Sequence, residues 1–350
     1  MAFALLQPPL RRDHCRASLL RLLRKRPVAG RYANTRTFGN RASSTAANKI
    51  NAGGGSSSSS SSESKSMNAS QCEVNKFSSF ASSWWDSRNN PLVGMNPIRV
   101  KFIRDVVQEF QFSNKANQHA MQLPLHNKQV LDIGCGGGLL TESLSRLGAT
   151  RVFGLDASSK VVEVAKSHSF HNSSRMASIG NITNVENADI NQSGLTNISY
   201  VGGVTVEEFA TTWQLESQPN VPHNELFDVI TALEVVEHVP NPSSLLHAAT
   251  SLLKPNGILF VSTINRTIKS YGMAIVAAEY ITGKVPLGTH DWNHFFSPKE
   301  IESMICKDSN SMRQVSVSGM VLKPPFVNMQ WYLSPEDTDI NWIGAYQKQH

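Results

Sequence analysis

VLDIGCGGGLL, Val130 to Leu140, decides how the rest of this chain reads. Apolar residues around one acid run into glycines at 134, 136, 137 and 138. The pattern predicts a short buried strand over Val130–Ile133, a tight turn, and a helix over Gly138–Leu147. Glycine carries no Cβ, so a ligand can lie directly against such a turn. A P-loop needs Gly-Lys-Ser/Thr after the glycines, but Leu139 and Leu140 follow Gly138. A dinucleotide fingerprint needs G-x-G-x-x-G. Gly134 and Gly136 begin one, yet Leu139 stands where the third glycine belongs.

What remains is D-x-G-x-G-x-G, from Asp132 through Gly134 and Gly136 to Gly138. A second acid, Asp156, closes the next apolar run, Val152–Leu155. An acid at that place accepts hydrogen bonds from both hydroxyls of a ribose. Asp132 repels a pyrophosphate and suits a ligand with an ammonium or sulfonium centre. S-adenosylmethionine meets both conditions, which makes Asp132, Gly134, Gly136, Gly138 and Asp156 candidate cofactor-binding residues. The plain alternative is a structural turn with no ligand.

Working outward, Phe77, Phe80, Ala81 and Trp84 recur at helical spacing and predict a helix over Glu73–Trp85. Asn96-Pro97 reads as the start of another helix, continuing through Phe112. Beyond Asp156 the pattern predicts a helix from Ser158 to His168, strands at Ser199–Val201, Phe227–Ala232 and Ile258–Ser262, and a helix over Asn241–Leu253. Val315–Val321 and Ile340–Ala345 read as edge strands. The Asn- and Ser-rich stretch Asn172–Asn197 reads as a surface insertion. Strands alternating with helices imply an α/β fold, a mostly parallel sheet with helices on both faces. Ligands of such sheets sit at the carboxyl ends of the strands.

The net charge of +6 is unevenly spread. Residues 1–66 carry twelve Lys/Arg against two Asp/Glu, and the rest carries 21 against 25. A mildly acidic body argues against a nucleic-acid partner, which needs a basic surface. The leader is Arg-rich, Ser-rich and acid-poor, with Leu19, Leu20, Leu22 and Leu23 opposite Arg21, Arg24 and Lys25 on a helix. That is the composition of an organelle transit peptide, here mitochondrial. Ser56–Ser62 is a flexible linker. Residues 1–66 are thus read as leader and linker, and 67–350 as the functional domain. Four cysteines, none in a CxxC pair, exclude a disulfide framework or zinc knuckle.

After the fourth strand, LEVVEHV sets Glu234, Glu237 and His238 at i, i+3 and i+4. On a helix these three share one face. Two carboxylates and an imidazole suit a divalent ion, and oxygen-rich ligands favour Mg²⁺. A phenol with a pKa of about 10 is a poor nucleophile at neutral pH, and a Lewis acid would favour its phenolate. His238 is alternatively a general base, and the bland reading is a polar loop whose acids cap a helix.

From about Glu73 onward the chain resembles the ubiquinone-biosynthesis O-methyltransferase family. The stretches that carry the resemblance are KFSSFASSWWD, NPIRVKFI, VLDIGCGGGLL, GLDAS, LEVVEHVPNP, STINRTIKSY, AEYITGKVPLGTHDW and FFSPKEI. The resemblance implies a class I, Rossmann-like methyltransferase fold with a seven-stranded sheet. It implies methyl transfer to a phenolic hydroxyl of a polyprenylated dihydroxybenzoate or a demethylubiquinol. It implies Arg99 and Leu233 as further cofactor-binding residues, and Glu234, Glu237 and His238 as catalytic residues holding Mg²⁺. It also implies a peripheral place on the matrix side of the mitochondrial inner membrane, in a complex with other proteins of the pathway. Trp84 and Trp85 are expected over the pocket, and His290, Asp291 and His294 near the substrate. Residues 265–289, apolar between Lys269 and Lys284, read equally as a membrane-docking segment or a lid. Two rivals remain: a methyltransferase of another small phenol, and a non-catalytic subunit of a biosynthetic assembly.

Overall fold

The computed structural model describes residues 68–87, 90–112, 123–180, 197–216, 226–272, 292–306, 311–324 and 330–349. The leader, the serine linker, residues 181–196, residues 273–289, His290 and Asp291 lie outside the described residues.

Five strands run parallel: β1 (Gln129–Ile133), β2 (Arg151–Asp156), β3 (Ile198–Gly202), β4 (Phe227–Leu233) and β5 (Leu253–Ile264). Three more, β6 (Met312–Leu322), β7 (Trp331–Ser334) and β8 (Asn341–Lys348), add antiparallel ladders. The sheet has eight strands in the order β3-β2-β1-β4-β5-β8-β6-β7. The eighth strand, relative to the seven expected, is β7. It is only four residues long, too short for a period-2 pattern to announce it, and it pairs with the outer edge of β6.

Alternation along the strands sorts the core into two layers. Leu131, Ile133, Phe153 and Ile230 pack one face with Phe209 and Trp213 of helix α5 (Val206–Glu216) and Leu245 and Leu246 of helix α6 (Pro242–Ser251). Val130, Val152, Val229 and Phe260 pack the other with Ile98, Phe102, Ile103 and Val106 of helix α2 (Pro91–Phe112) and Leu140 and Leu144 of helix α3 (Leu139–Arg146).

Several boundaries move for physical reasons. Helix α2 begins at Pro91 rather than at Asn96-Pro97. Asn90 Oδ1 accepts from the Leu92 amide at 3.0 Å and opens it, and Pro97 forfeits only one helical bond. Asn96 is not a cap but a tie to α3, donating to Ser143 Oγ at 3.0 Å. Helix α4 runs Ser159–Gly180, past the expected end at His168 and into the stretch read as an insertion. Its neighbour α5 escaped the periodicity reading, although Thr205 and Glu208 form a capping box at its start. The Pro255-Asn256-Gly257 turn is absorbed into β5 as a bulge, where the register against β4 shifts between Phe227 and Val229.

The chain leaves β1 toward β2 and β3, then returns to the other side of β1 for β4. Such a reversal opens a crevice at the carboxyl ends of β1 and β4. Among the described residues, no helix is long and apolar enough to cross a membrane.

Candidate active site

A cleft with an empty volume of about 1090 Å³ lies at that crevice, lined from the ends of β1, β2, β3 and β4. Arg99, Asp132, Gly134, Asp156, Leu233, Glu234 and His238 all line it. Gly136, Gly138 and Glu237 do not belong to the lining.

Asp132 points to the α2–α3 face of the sheet, the side of Val130. Its carboxylate is 2 % exposed and accepts hydrogen bonds from Thr141 Oγ1 at 2.6 Å and Thr231 Oγ1 at 2.7 Å. Thr231 is its register partner on β4. Burial raises its pKa to about 6, opposed by these two hydroxyls and by the charge of Arg99. Arg99, on α2, is itself buried at 4 % exposure. One of its terminal nitrogens lies 3.5 Å from the Leu233 carbonyl oxygen, and its Nε has no hydrogen-bond partner among the described residues. Burial pulls the guanidinium pKa down, and Glu234, Asp132 and Glu237 pull it back up. Asp156 accepts from the Gly136 amide at 3.0 Å and the Ser158 amide at 2.7 Å, one bond on each oxygen. Each oxygen keeps a second lone pair.

The glycines have a more specific cause than a ligand alone. Gly134 sits at φ +69° and Gly136 at φ +53°, which favour glycine. A Cβ on Gly134 would run into Val235, and one on Gly136 into the Trp84 indole, which also covers Gly137. Gly138 faces Tyr200 in the same way. The close approach read into the bare backbone is therefore filled at 136–138 by the protein's own aromatic rings. Gly134 remains on the cleft wall. Trp85, expected over the pocket, instead donates to the Gly137 carbonyl at 3.0 Å and stacks on His168 at 3.5 Å between ring centroids.

The acidic rim differs from its expectation. LEVVEHV is not an α-helix: Glu234 follows β4 at φ +57°, and Val236–His238 form one 3₁₀ turn. Glu237 still feels the charges of both Glu234 and His238. Glu234 Oε1 accepts from Ser262 Oγ at 2.6 Å, Glu237 Oε2 from Thr263 Oγ1 at 2.9 Å, and His238 Nδ1 lies 2.9 Å from Glu73 Oε2. Among the described residues, no three of His, Cys, Asp and Glu are arranged to hold a metal ion. As arranged, each donor is engaged by a different protein neighbour, so the expected Mg²⁺ set is not assembled among the described residues. Burial and the charge of Glu234 raise Glu237 to about 7. Burial favours neutral His238, but the hydrogen bond with Glu73 and the charges of Glu237 and Glu73 outweigh it and raise its pKa.

Trp84, expected over the pocket, does line it, as part of a longer wall. Helix α1 (Gln71–Ser79) and the turn after it form a strap, Asn68–Trp85, over the cleft. Glu73, Phe77 and Trp84 face the cavity from it, with Phe77 edge-on to His238 at 4.9 Å. Ser78 Oγ lies 2.7 Å from Ser158 Oγ, beside Asp156. The end of β3 adds Val204–Glu207, unsignalled except by the capping box. His294 stands in an exposed turn outside the lining, and His290 and Asp291 are not described. Lys269, at the start of the segment read as a docking element or a lid, pairs with Asp337 at 3.2 Å and Asp339 at 3.2 Å.

A parallel sheet with its cleft at the switch point, an acid at the end of β2 and a buried arginine across from it define an α/β methyltransferase. In agreement, a family model described as a methyltransferase domain matches residues 95–308. The ubiquinone biosynthesis O-methyltransferase of Cereibacter sphaeroides is 38 % identical over 276 residues, covering 78 % of this chain and 94 % of that one. The mitochondrial ubiquinone biosynthesis O-methyltransferase of Dictyostelium discoideum is 36 % identical over 273 residues, covering 77 % and 75 %. That of Pelagibacter ubique is 34 % identical, covering 79 % and 97 %. The chain belongs to the ubiquinone biosynthesis O-methyltransferase family.

Proposed function

We propose that this enzyme transfers the methyl group of S-adenosylmethionine to a phenolic hydroxyl of a polyprenylated dihydroxybenzoate or demethylubiquinol. One observation carries the donor reading: Arg99 is a buried guanidinium whose Nε has no hydrogen-bond partner among the described residues, beside a cleft. A buried, under-bonded cation is costly, and a carboxylate relieves the cost bidentately. The donor supplies a methyl on a positive sulfur, and loses it as a neutral thioether. Arg99 holds the amino-acid carboxylate, and the second lone pairs of Asp156 accept from the ribose hydroxyls. Leu233 and Gly134 shape the wall between them. The protein's main task is to hold oxygen, methyl and sulfur in line and keep water out. Trp84, Phe77 and the strap serve the second purpose.

The test is methyl transfer from labelled donor to a short-chain prenylated catechol. Asp156→Ala and Arg99→Ala are expected to abolish measurable turnover at donor concentrations that saturate the parent enzyme. A parent enzyme that binds S-adenosylhomocysteine but methylates no catechol would support the rival non-catalytic subunit. Repeating the assay with a chelator separates an ion-dependent rim from the protein-only arrangement described above.

The composition of the leader and the mitochondrial relative support the location. Residues 1–66 direct import, residues 67–350 carry the activity, and the enzyme works at the matrix face of the inner membrane with other proteins of the pathway. Ile268, at 90 % exposure, and Tyr271 and Trp292 stand exposed on either side of residues 273–291 and support a peripheral membrane contact. A fluorescent reporter fused behind residues 1–66 should enter mitochondria; a reporter left in the cytosol would overturn the targeting reading.

A further inference from the structure

Outside the cleft, one chain of contacts leaves the glycine turn through two helices and comes back to it. Glu142, in the first turn of α3, is fully buried. Its Oε2 accepts from Arg146 at 2.8 Å and from Asn172 Nδ2 at 3.0 Å, and its Oε1 lies 2.7 Å from His168 Nδ1. Three partners fix the plane of the carboxylate, and the carboxylate in turn fixes the imidazole of His168 on α4. That imidazole lies flat against Trp85, with 3.5 Å between ring centroids and 11° between ring planes. Trp85 Nε1 donates to the Gly137 carbonyl at 3.0 Å, so the indole is held at its edge as well as on its face. Neither Trp85 nor His168 lines the cleft. Trp84 does, and it covers Gly136 and Gly137. Consecutive Cα atoms are tied about 3.8 Å apart, so pinning Trp85 sets where Trp84 lies.

We propose that His168 is a positioning residue for methyl transfer: backed by Glu142, it clamps Trp85 on the glycine turn and so keeps the strap closed over the donor. The inference rests on the methyl-donor reading above. It gives a role to a buried carboxylate and an imidazole that do not line the cleft. Burying a carboxylate is costly unless its oxygens are bonded, and the group anchored here is the ring on which Trp85 stacks. The rest of the strap is tied separately, by Asn68 to the Asn241 backbone at 2.8 Å and by Ser78 to Ser158 at 2.7 Å. Loss of the stack therefore frees the end that carries Trp84. The consequence is faster loss of the donor with little change in the chemical step, because His168 does not align oxygen, methyl and sulfur.

The test is a set of variants at His168 and Trp85, read by calorimetry with S-adenosylhomocysteine and by kinetics on the prenylated catechol. His168→Ala should weaken S-adenosylhomocysteine and raise KM for the donor by about fivefold, the size of one aromatic stack, with kcat at saturating donor within about twofold of the parent. His168→Gln keeps a donor for Glu142 but no ring, and should bind as poorly as His168→Ala. His168→Phe returns a ring to Trp85 and should recover most of the loss. Trp85→Ala removes the clamp from its other side, so adding His168→Ala to it should weaken binding no further. Without ligand, amide hydrogen exchange over residues 71–85 should quicken in His168→Ala while β1 and β4 stay protected. A His168→Ala enzyme that binds like the parent overturns the proposal. So does full recovery by His168→Gln, since the imidazole would then only tie α4 to α3, and so do additive losses at His168 and Trp85. A parent enzyme that does not bind S-adenosylhomocysteine overturns the methyl-donor reading first, before any variant is compared, and this inference with it.

Discussion

The turn after β1 and the rim after β4 are neighbours on the same edge of the sheet, and each follows its strand with a residue at positive φ, Gly134 and Glu234. Their constraints have opposite reach. In the β1 turn, Gly136 binds Asp156 twenty positions away, and the pattern of acids and glycines is a property of one βαβ unit. In the rim, Glu234 and Glu237 are held by Ser262 and Thr263 of the next strand, and His238 by Glu73 from the strap, 165 positions earlier in the chain. The first region is built by local chemistry, the second by what the fold happens to bring beside it.

Arg99 joins the two regions, since Glu234, Asp132 and Glu237 all act on its charge. Arg99→Ala should therefore have the largest effect. Removing one member of a buried charge set costs about 3–5 kcal/mol, and calorimetry should show affinity for S-adenosylhomocysteine reduced by about 100-fold or more. A variant that binds normally would mean the two regions work independently of this residue.

Asp132 sharpens the contrast through pH. Its pKa in the fold is about 6 against 3.8 for an ordinary aspartate, because burial disfavours the charge. The folded state therefore holds its proton longer than the unfolded chain does. The contribution of Asp132 to stability should fall as pH rises from about 4 to about 6 and then level off, by roughly 3 kcal/mol at most. Urea unfolding of Asp132→Asn across that range should lack this slope, and an identical slope in parent and variant would sink the assignment.

Gly136→Ala attacks the local turn. The added methyl meets Trp84 at a backbone angle that disfavours it, with an expected loss of about 2–3 kcal/mol and a change in tryptophan fluorescence. Ser262→Ala attacks the rim. It removes one hydroxyl from Glu234, for about 1–2 kcal/mol in urea melts. A larger loss from Ser262→Ala than from Gly136→Ala would reverse the comparison.

Much of the architecture was legible for the same reason that the β1 turn was. Val130–Ile133, Val152–Leu155 and Phe227–Ala232 are apolar runs bounded by glycine, acid or turn residues, and each is a strand within a residue or two of its expected ends. The alternation of strands and helices pointed to a mostly parallel sheet covered on both faces. Asp156 was legible as a cleft residue because its place, at the end of the strand after the glycine turn, is itself a statement about geometry. Helix α2 was misjudged at its start because Pro97 looks like a beginning, and only Asn90 shows where the helix opens. The local shape of the rim was not legible because i, i+3, i+4 spacing means one face only if the stretch is helical, and positive φ at Glu234 breaks that premise.

What the amino-acid order determined by itself was the α/β layout, the glycine turn and the acids that flank it, since these depend on residues near one another or on side-chain period. Only the tertiary structure decided that Trp84 occupies the space the glycines leave and that Glu73 claims His238. Those facts are contacts between segments far apart in the chain. No period or spacing encodes them, because the distance between two side chains is set by how the layers pack and not by how many residues separate them.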